Sequence, residues 1–508
     1  MAQTHSKIKV EYGDFQTPID LARQICSVLA SQGNVPSAIV EPTCGAGNFL
    51  VAALDTFPNA DKIIGIDINI DYVNILQQKV AAYNHDINKE IFQANFFDVN
   101  WTQLLSQLSQ PILVVGNPPW VTNSTLGTLQ SDNLPQKSNF QGYAGLEAMT
   151  GKSNFDISEW MIIHLLEAMS SFRGTLAMLC KTSVARRVLK QVWKTHKQAH
   201  DARLYRIDAK KHFNVAVDMC LLVCQTGFPV AESNTCKVFD RLIDQDYLTI
   251  FGLEDGDLVA DIQAYKKWRH LRGQGSQKWR SGIKHDLAKV MELIKLDGQY
   301  QNGLGEFCEL EKTFVYPLLK GTDLVKQKSV QPRKYVIVTQ KRIGEDTRII
   351  QKVAPKTWQY LHQHQQLFQK RKSSIYKNNP PFAMFGIGDY TFASWKVAIS
   401  GLHKRLRFLP VGPYQDKPVM LDDTCYFLPC KSKEDASLLA QLLNSKPAQT
   451  FLKAFIFWDA KRPITATILN RLDLTALARD AGIETGEIST LAYQSETHVQ
   501  GTLFKLEE

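Results

Sequence analysis

No run of eighteen or more apolar residues occurs in this chain, so a membrane-crossing helix is not expected. The N-terminal stretch MAQTHSKIKVEYGDF lacks the apolar core of a secretion signal, which makes a cytoplasmic protein the expectation. The nine cysteines are scattered singly, apart from Cys220 and Cys224, which flank LLV in an expected strand. No matching CxxC or histidine pair completes a zinc site, so reduced structural thiols and no metal are expected. A phosphate-cradling loop ending in Gly-Lys-Ser/Thr is missing, and so is a GxGxxG turn. There is no internal repeat.

What is present describes a globular protein. At 508 residues, 44% hydrophobic and 21% charged, the chain is long enough for two or three domains with separate cores. A net charge of +9 permits a polyanionic partner without proving one.

The stretch with the strongest local character is Pro111–Trp120, PILVVGNPPW. Ile112 to Val115 is continuous and rich in β-branched residues, as suits a strand covered on both faces of a parallel sheet. Pro118 and Pro119 then end the strand ladder, because neither has an N–H to donate. The chain must leave the sheet as a stiff loop with Asn117 at its root and Trp120 at its tip. In open α/β sheets, ligands sit at the carboxyl ends of strands. Such a loop suits an exocyclic amine on a nucleobase, a poor nucleophile because its lone pair is delocalised into the ring. The amide oxygen of Asn117 and the carbonyl of Pro118 would accept from the amino hydrogens and aim the lone pair at an electrophile. Trp120 would offer a flat face to an extruded base. The plainer alternative is a Pro-Pro turn with a packed tryptophan.

The residues ahead of the loop narrow the choice. Tyr12–Pro18, YGDFQTP, precedes a helical pattern over Ile19–Leu29, with Thr17 as expected N-cap and Pro18 at the first helical position. A strand at Ala38–Val40 runs into EPTCGAGNF (Glu41, Pro42, Thr43, Cys44, Gly45, Ala46, Gly47, Asn48, Phe49) and then a helix. A glycine turn there lets backbone approach a ligand closely, and the acid closing the strand welcomes a cationic head group. Ile63–Ile66 reads as a second strand ending at Asp67, placed to accept two ribose hydroxyls. In Ile91–Val99, Asn95, Phe96 and Asp98 could frame an adenine ring.

In this order, residues 1–230 resemble the S-adenosylmethionine-dependent DNA methyltransferases that act on exocyclic amines, specifically the gamma group that makes N6-methyladenine. The resemblance implies a Rossmann-like class I methyltransferase sheet in an α/β fold, with S-adenosylmethionine as cofactor. It places Thr17 near the methionine carboxylate and Glu41, Pro42, Gly45 and Gly47 along the methionine part. Asp67 falls on the ribose, and Asn95 with Phe96 on the adenine. Asn95 stands where the family usually has Asp, and Trp120 where it usually has Tyr or Phe. Lys210–Cys224 looks like the family's late motif, in which an aromatic before a strand covers the other face of the target base; Phe213 is the candidate.

Beyond the loop, Gly127–Gly151 is a long polar stretch of the kind that closes over a substrate. Phe155–Ser170 reads as a helix packed on the sheet, and Lys181–Lys197 as a cationic helix. From Gly227 the character changes. Ala264–His285 carries Lys266, Lys267, Arg269, Arg272, Lys278 and Arg280 around Trp268 and Trp279, which suits a phosphate backbone or, more plainly, a solvated face. Residues 231–305 are therefore read as a basic connecting segment, 306–475 as a second α/β domain and 476–508 as a peripheral tail. The second domain resembles the Taq-type specificity domain of part of the gamma group. Its Lys341, Arg342, Lys404 and Arg405 are candidates for DNA contact. A second NPPF at Asn379–Phe382 follows no apolar run and is rejected.

The expected function is transfer of a methyl group to N6 of an adenine flipped out of double-stranded DNA, in a restriction-modification or related defence system. A separately encoded endonuclease is an expected partner, no membrane is, and a monomer is expected. No nuclease can be placed upstream of Thr17. Cytosine N4, RNA or a protein glutamine remain alternative substrates, and a non-catalytic DNA-binding subunit an alternative role.

Overall fold

A computed structural model describes residues 16–83, 87–120, 156–195, 199–227, 234–273, 277–326 and 331–483. It divides into two compact units, Met1–Ile262 and Gln263–Glu508. The polar stretch Gly127–Gly151 lies outside the described residues, as does almost all of the 476–508 tail. Among the described residues no helix is long and apolar enough to cross a membrane.

The first unit is built on one sheet. Its strands are β1 (Ala38–Glu41), β2 (Lys62–Asp67), β3 (Asn88–Gln93), β4 (Ile112–Gly116), β5 (Gly174–Lys181), β6 (His200–Ile207), β7 (Met219–Thr226), β8 (Thr235–Phe239), β9 (Thr249–Glu254) and β10 (Asp257–Val259). Their order is β10-β9-β8-β6-β7-β5-β4-β1-β2-β3. β1, β2, β3, β4 and β5 run parallel, and β7 is inserted antiparallel between β5 and β6. Burial follows that order: every residue of β1 and β4 is buried, whereas NKEIFQ of β3, at the edge, buries only Ile91. The continuous apolar run before Asn117 is thus a central strand, as its composition demands.

β1 lies between β2 and β4, so the chain reverses its direction of travel through the sheet beside it. A crevice opens at the carboxyl ends of β1 and β4 for that reason, and ligands of open α/β sheets bind there. Helices Ile19–Ser31 and Asn48–Thr56 pack Leu21, Ile25, Leu29, Phe49 and Leu50 against the sheet in one core.

One local expectation is corrected. Helix Ile19–Ser31 starts after Pro18, which is itself the N-cap and makes no side-chain cap bond. Thr17 sits one residue too early to cap. Its carbonyl instead accepts from Asn48 Nδ2 at 2.8 Å, which ties it to the glycine turn.

The second unit holds two smaller sheets. One contains β12 (Glu292–Leu296), β13 (Gln299–Asn302), β14 (Phe307–Cys308), β15 (Val315–Leu319), β16 (Lys334–Ile337) and β19 (Met420–Leu421). The other contains β11 (Arg280–Ser281), β17 (Trp395–Ser400), β18 (Leu409–Val411) and β20 (Cys425–Cys430). The segment 231–305 is not a separate connector. Thr235–Val259 adds three strands to the first sheet, and Arg280–Asn302 supplies strands to the second unit. Short alternating strands such as TCKVF, with loops between, resemble linker in composition, and only their pairing shows otherwise.

Candidate active site

Strand pairing brings the two key loops side by side. β1 and β4 are in register from Ala38↔Ile112 to Val40↔Val114, so EPTCGAGNF and NPPW leave the sheet as neighbours. A methyl group placed on Gly116 would lie 3.6 Å from Glu41 Cγ and 3.7 Å from Pro42 Cδ. The end of β4 thus lies in van der Waals reach of the Glu41 and Pro42 side chains, at the root of the Asn117 loop.

The glycine turn is tightly held. Gly45 and Gly47 have φ of +49° and +78°, a region that favours glycine. A Cβ on Gly47 would fall 2.0 Å from Leu76 Cδ1, and one on Gly45 2.6 Å from the Gln16 amide. Asp67 accepts from Gly45 N–H at 2.8 Å through one oxygen and from Asn69 N–H at 2.8 Å through the other. Gln16 Oε1 accepts from Ala46 N–H at 2.9 Å, and Lys79 Nζ donates to Ala46 O at 2.7 Å. Gln16 and Lys79 were not singled out from the sequence; only the fold shows that they brace this turn.

Glu41 is 3% exposed, and its Oε2 accepts from Leu50 N–H at 3.2 Å. Burial pushes its carboxyl well above the usual carboxylate range, and the nearby Asp67 adds to this, against the pull of the Leu50 N–H and Lys79. An interior acid of this kind is suited to a cationic group.

Asn95 is half-buried, and its Oδ1 accepts from Phe97 N–H at 3.1 Å, capping the short turn Phe96–Asp98. Phe96 is 4% exposed and packs inward, 4.8 Å from the Trp101 ring, so it backs the turn while Phe97 is the more exposed ring.

The two aromatics expected to cover opposite faces of a base instead touch each other edge to face. Trp120 and Phe213, from separate motifs, lie with ring centroids 5.3 Å apart at 62°. Phe213 is half-buried at the end of helix Ala209–Phe213, where Asn214 stops the helix with φ +55°. Pro118 is buried, with Asn117 and Pro119 half-buried.

The basic residues divide. Trp279 is buried and packs 5.5 Å from Phe408, so the aromatic-and-cation interleaving of Ala264–His285 is partly architectural. Arg280 lies 4.7 Å over the Tyr390 ring, and Arg272 Nη1 donates to Tyr265 Oη at 3.3 Å. Arg342 pairs with Asp389 at 2.8 Å, and the Lys341 N–H donates to Glu345. Lys266, Lys267, Arg269, Lys278, Lys404 and Arg405 are exposed. The second NPPF lies in a turn of the second unit, with Phe382 buried at φ +63° between Trp358 and Phe368, which agrees with its rejection.

A crevice at the β1–β4 switch point, lined by a glycine turn and by acids ending β1 and β2, is that of a class I S-adenosylmethionine-dependent methyltransferase. The donor set fits that cofactor: an interior acid for an ammonium, a second acid at the end of the next strand for a diol, and a turn whose two glycines approach neighbouring side chains too closely for a Cβ. Residues 1–190 match the family model described as N-6 DNA Methylase. A Type II methyltransferase, M.NspV of a Nostoc species, is 46% identical over 94% of this chain and 99% of its own length. The modification methylase CviBIII of a Chlorella virus is 32% identical over 22% of this chain and 27% of its own. Among solved structures, the Type IIL restriction-modification enzyme MmeI in complex with DNA shares the fold with a TM-score of 0.50 at 12% identity, covering 96% of this chain and 77% of its own. The chain belongs to the N-6 DNA methylase family, with the Type II methyltransferases.

Proposed function

We propose that this chain methylates N6 of a specific adenine in duplex DNA, with the base flipped into the site formed by Asn117, Trp120 and Phe213. The observation that carries the reading is the register of β1 and β4, which sets the cofactor turn beside the amine-holding loop. S-adenosylmethionine supplies a methyl group on a positively charged sulfur. Glu41 takes its ammonium, Asp67 its ribose hydroxyls, and Asn95 with the Phe96 turn its adenine. Thr17 lies near the methionine carboxylate. Asn117 Oδ1 and the Pro118 carbonyl accept from the two amino hydrogens of the target base and draw its nitrogen towards a pyramidal shape. Positive charge builds on that nitrogen during transfer, and the two oxygens stabilise it where it develops. The amine then gives a proton to solvent. Stacking on Trp120 or Phe213 offsets the unstacking of the base, which costs a few kcal/mol; the two rings, 5.3 Å apart and edge to face, must part before a base can lie between them.

Incubating the protein with isotopically labelled cofactor and DNA, then digesting the DNA to nucleosides, tests this directly. Label is expected in N6-methyldeoxyadenosine. Recovery in N4-methyldeoxycytidine, or transfer only to RNA or protein, would move the chemistry to another substrate.

Glu41 makes the cofactor affinity depend on pH. A cationic head group needs the ionised carboxylate, yet burial holds the carboxyl protonated above the ordinary carboxylate range, so binding must release its proton. Affinity by calorimetry is expected to fall as pH is lowered from the raised value towards the ordinary one, and Glu41→Gln to flatten that dependence. For the fold alone the sign is opposite. A raised pKa contributes stability that is complete below the unfolded value and is lost as pH rises through the folded one.

The second unit is proposed to carry the sequence reading, with Lys278, Lys404 and Arg405 among its phosphate contacts and Lys341 and Arg342 near the bases. In the first turn of that unit, Lys266, Lys267 and Arg269 extend the basic surface. Pairing with a separately encoded endonuclease, in the cytoplasm, belongs to the same proposal.

A further inference from the structure

The Asn117–Trp120 loop presents a problem of support. Pro118 and Pro119 have no N–H, so at those two residues the backbone offers only carbonyls, and the loop has half the usual donors by which a neighbouring element can grip it. A transfer that depends on an amide oxygen and a ring plane being held within a fraction of an ångström needs such a grip.

Lys181 is placed to provide it. It ends β5, the strand beside β4, with Gly116 opposite Met178, and it directly precedes helix Thr182–Lys194, for which it is the N-cap residue. Its Nζ lies 3.4 Å from the carbonyl oxygen of Trp120 and 2.6 Å from Asp156 Oδ2. Asp156 is itself fixed. It is 4% exposed, caps helix Ile157–Met169, and through Oδ1 accepts from Ser158 N–H at 3.2 Å and Ser158 Oγ at 2.6 Å. The carbonyl contact is long for a hydrogen bond, so the ion pair sets the place of the ammonium. The Trp120 carbonyl is then held by charge–dipole attraction. Because Trp120 and Asp156 lie at the two ends of the connection from β4 to helix Ile157–Met169, one ammonium ties both ends to β5. The pair is also neutral as a whole. A lone ammonium here would oppose the positive charge that builds on the target amine, whereas Lys181 with Asp156 does so far less.

We infer that Lys181, paired with Asp156, is the positioning residue that keeps the Asn117–Trp120 loop in register for methyl transfer. The inference rests on that loop being where the target amine is held. Neither residue stands out in the sequence: they are 25 positions apart, and Lys181 reads only as the start of a cationic helix.

The test is single-turnover transfer on the full chain with saturating DNA and S-adenosylmethionine, measured alongside cofactor affinity and the thermal midpoint. Lys181→Met is expected to slow the step by on the order of 10²-fold with cofactor affinity unchanged, the scale of an ångström misplacement. Lys181→Arg should recover most of the rate. Adding Asp156→Asn to Lys181→Met should cost little more, because the two side chains act as one unit. If Lys181→Met does not accumulate as folded protein, Lys181→Gln, which is shorter and uncharged, takes its place with the same expected loss. A wild-type rate overturns the inference. So does a rate that falls only in step with cofactor affinity and thermal midpoint, since that is what a purely structural ion pair would do. Asn117→Ala is run beside these variants. If it still transfers methyl groups, the reading of the loop itself fails; if it is inactive while Lys181→Met is not, only the role of Lys181 falls.

Discussion

Asn117→Ala is expected to abolish methyl transfer while leaving cofactor binding intact. The alanine keeps the strand and both prolines, so the loop retains its course and the glycine turn is untouched. What disappears is the amide oxygen proposed to accept from the target amine as charge builds on it. Removing one preorganised group of this kind costs roughly 10²–10³ in rate. The loss should be larger here, because the same oxygen also orients the lone pair. Calorimetry with S-adenosylmethionine and a label-transfer assay on DNA give the two readings. Transfer at the wild-type rate would remove Asn117 from the mechanism.

Asp67→Ala should show the reverse pattern, with cofactor affinity lost first and the chemical step preserved at saturation. Hydrogen bonds to a charged group are each worth about 1.5–3 kcal/mol, so losing a carboxylate proposed to take a diol is expected to weaken binding by roughly 10² to 10⁴-fold. The fold adds a second source of loss. Asp67 also accepts from Gly45 N–H and Asn69 N–H, so alanine loosens the turn as well as the ribose contact. Asp67→Asn separates the two, because one amide oxygen can still accept from the backbone. It should bind better than alanine and worse than the wild type. Equal affinities in all three proteins would take Asp67 out of the cofactor site.

The parts of the site that were legible beforehand are those whose chemistry is written within a few consecutive residues. Ile112–Val115 can only be a covered strand, and two prolines after Asn117 can only end it. The glycine turn at Gly45–Gly47 and the acid closing β2 are local in the same sense. What escaped notice depends on residues far apart in the chain. The Lys181–Asp156 pair, Gln16 over Gly45 and Lys79 on Ala46 have no local signature, because each exists only once the sheet order is set. Local rules also misled. Thr17 before Pro18 has the look of a cap, but the helix begins one residue later than that pattern assumes. Trp279 among lysines and arginines reads as part of a phosphate-binding or solvated stretch, yet it is a core residue packed on Phe408, since a basic neighbour says nothing about the direction an indole takes. The strands between Thr235 and Val259 are too short to be told from a linker until their partners are known.

All nine sulfhydryls of this chain lie in its interior, including Cys44 inside the glycine turn and the Cys180 and Cys220 pair across β5 and β7. Burial also raises Cys26, Cys224 and Cys430 to about 12, which keeps them as neutral thiols. Thiol-directed reagents therefore find no cysteine exposed on the folded chain. Any thiol modification becomes a record that the chain has opened.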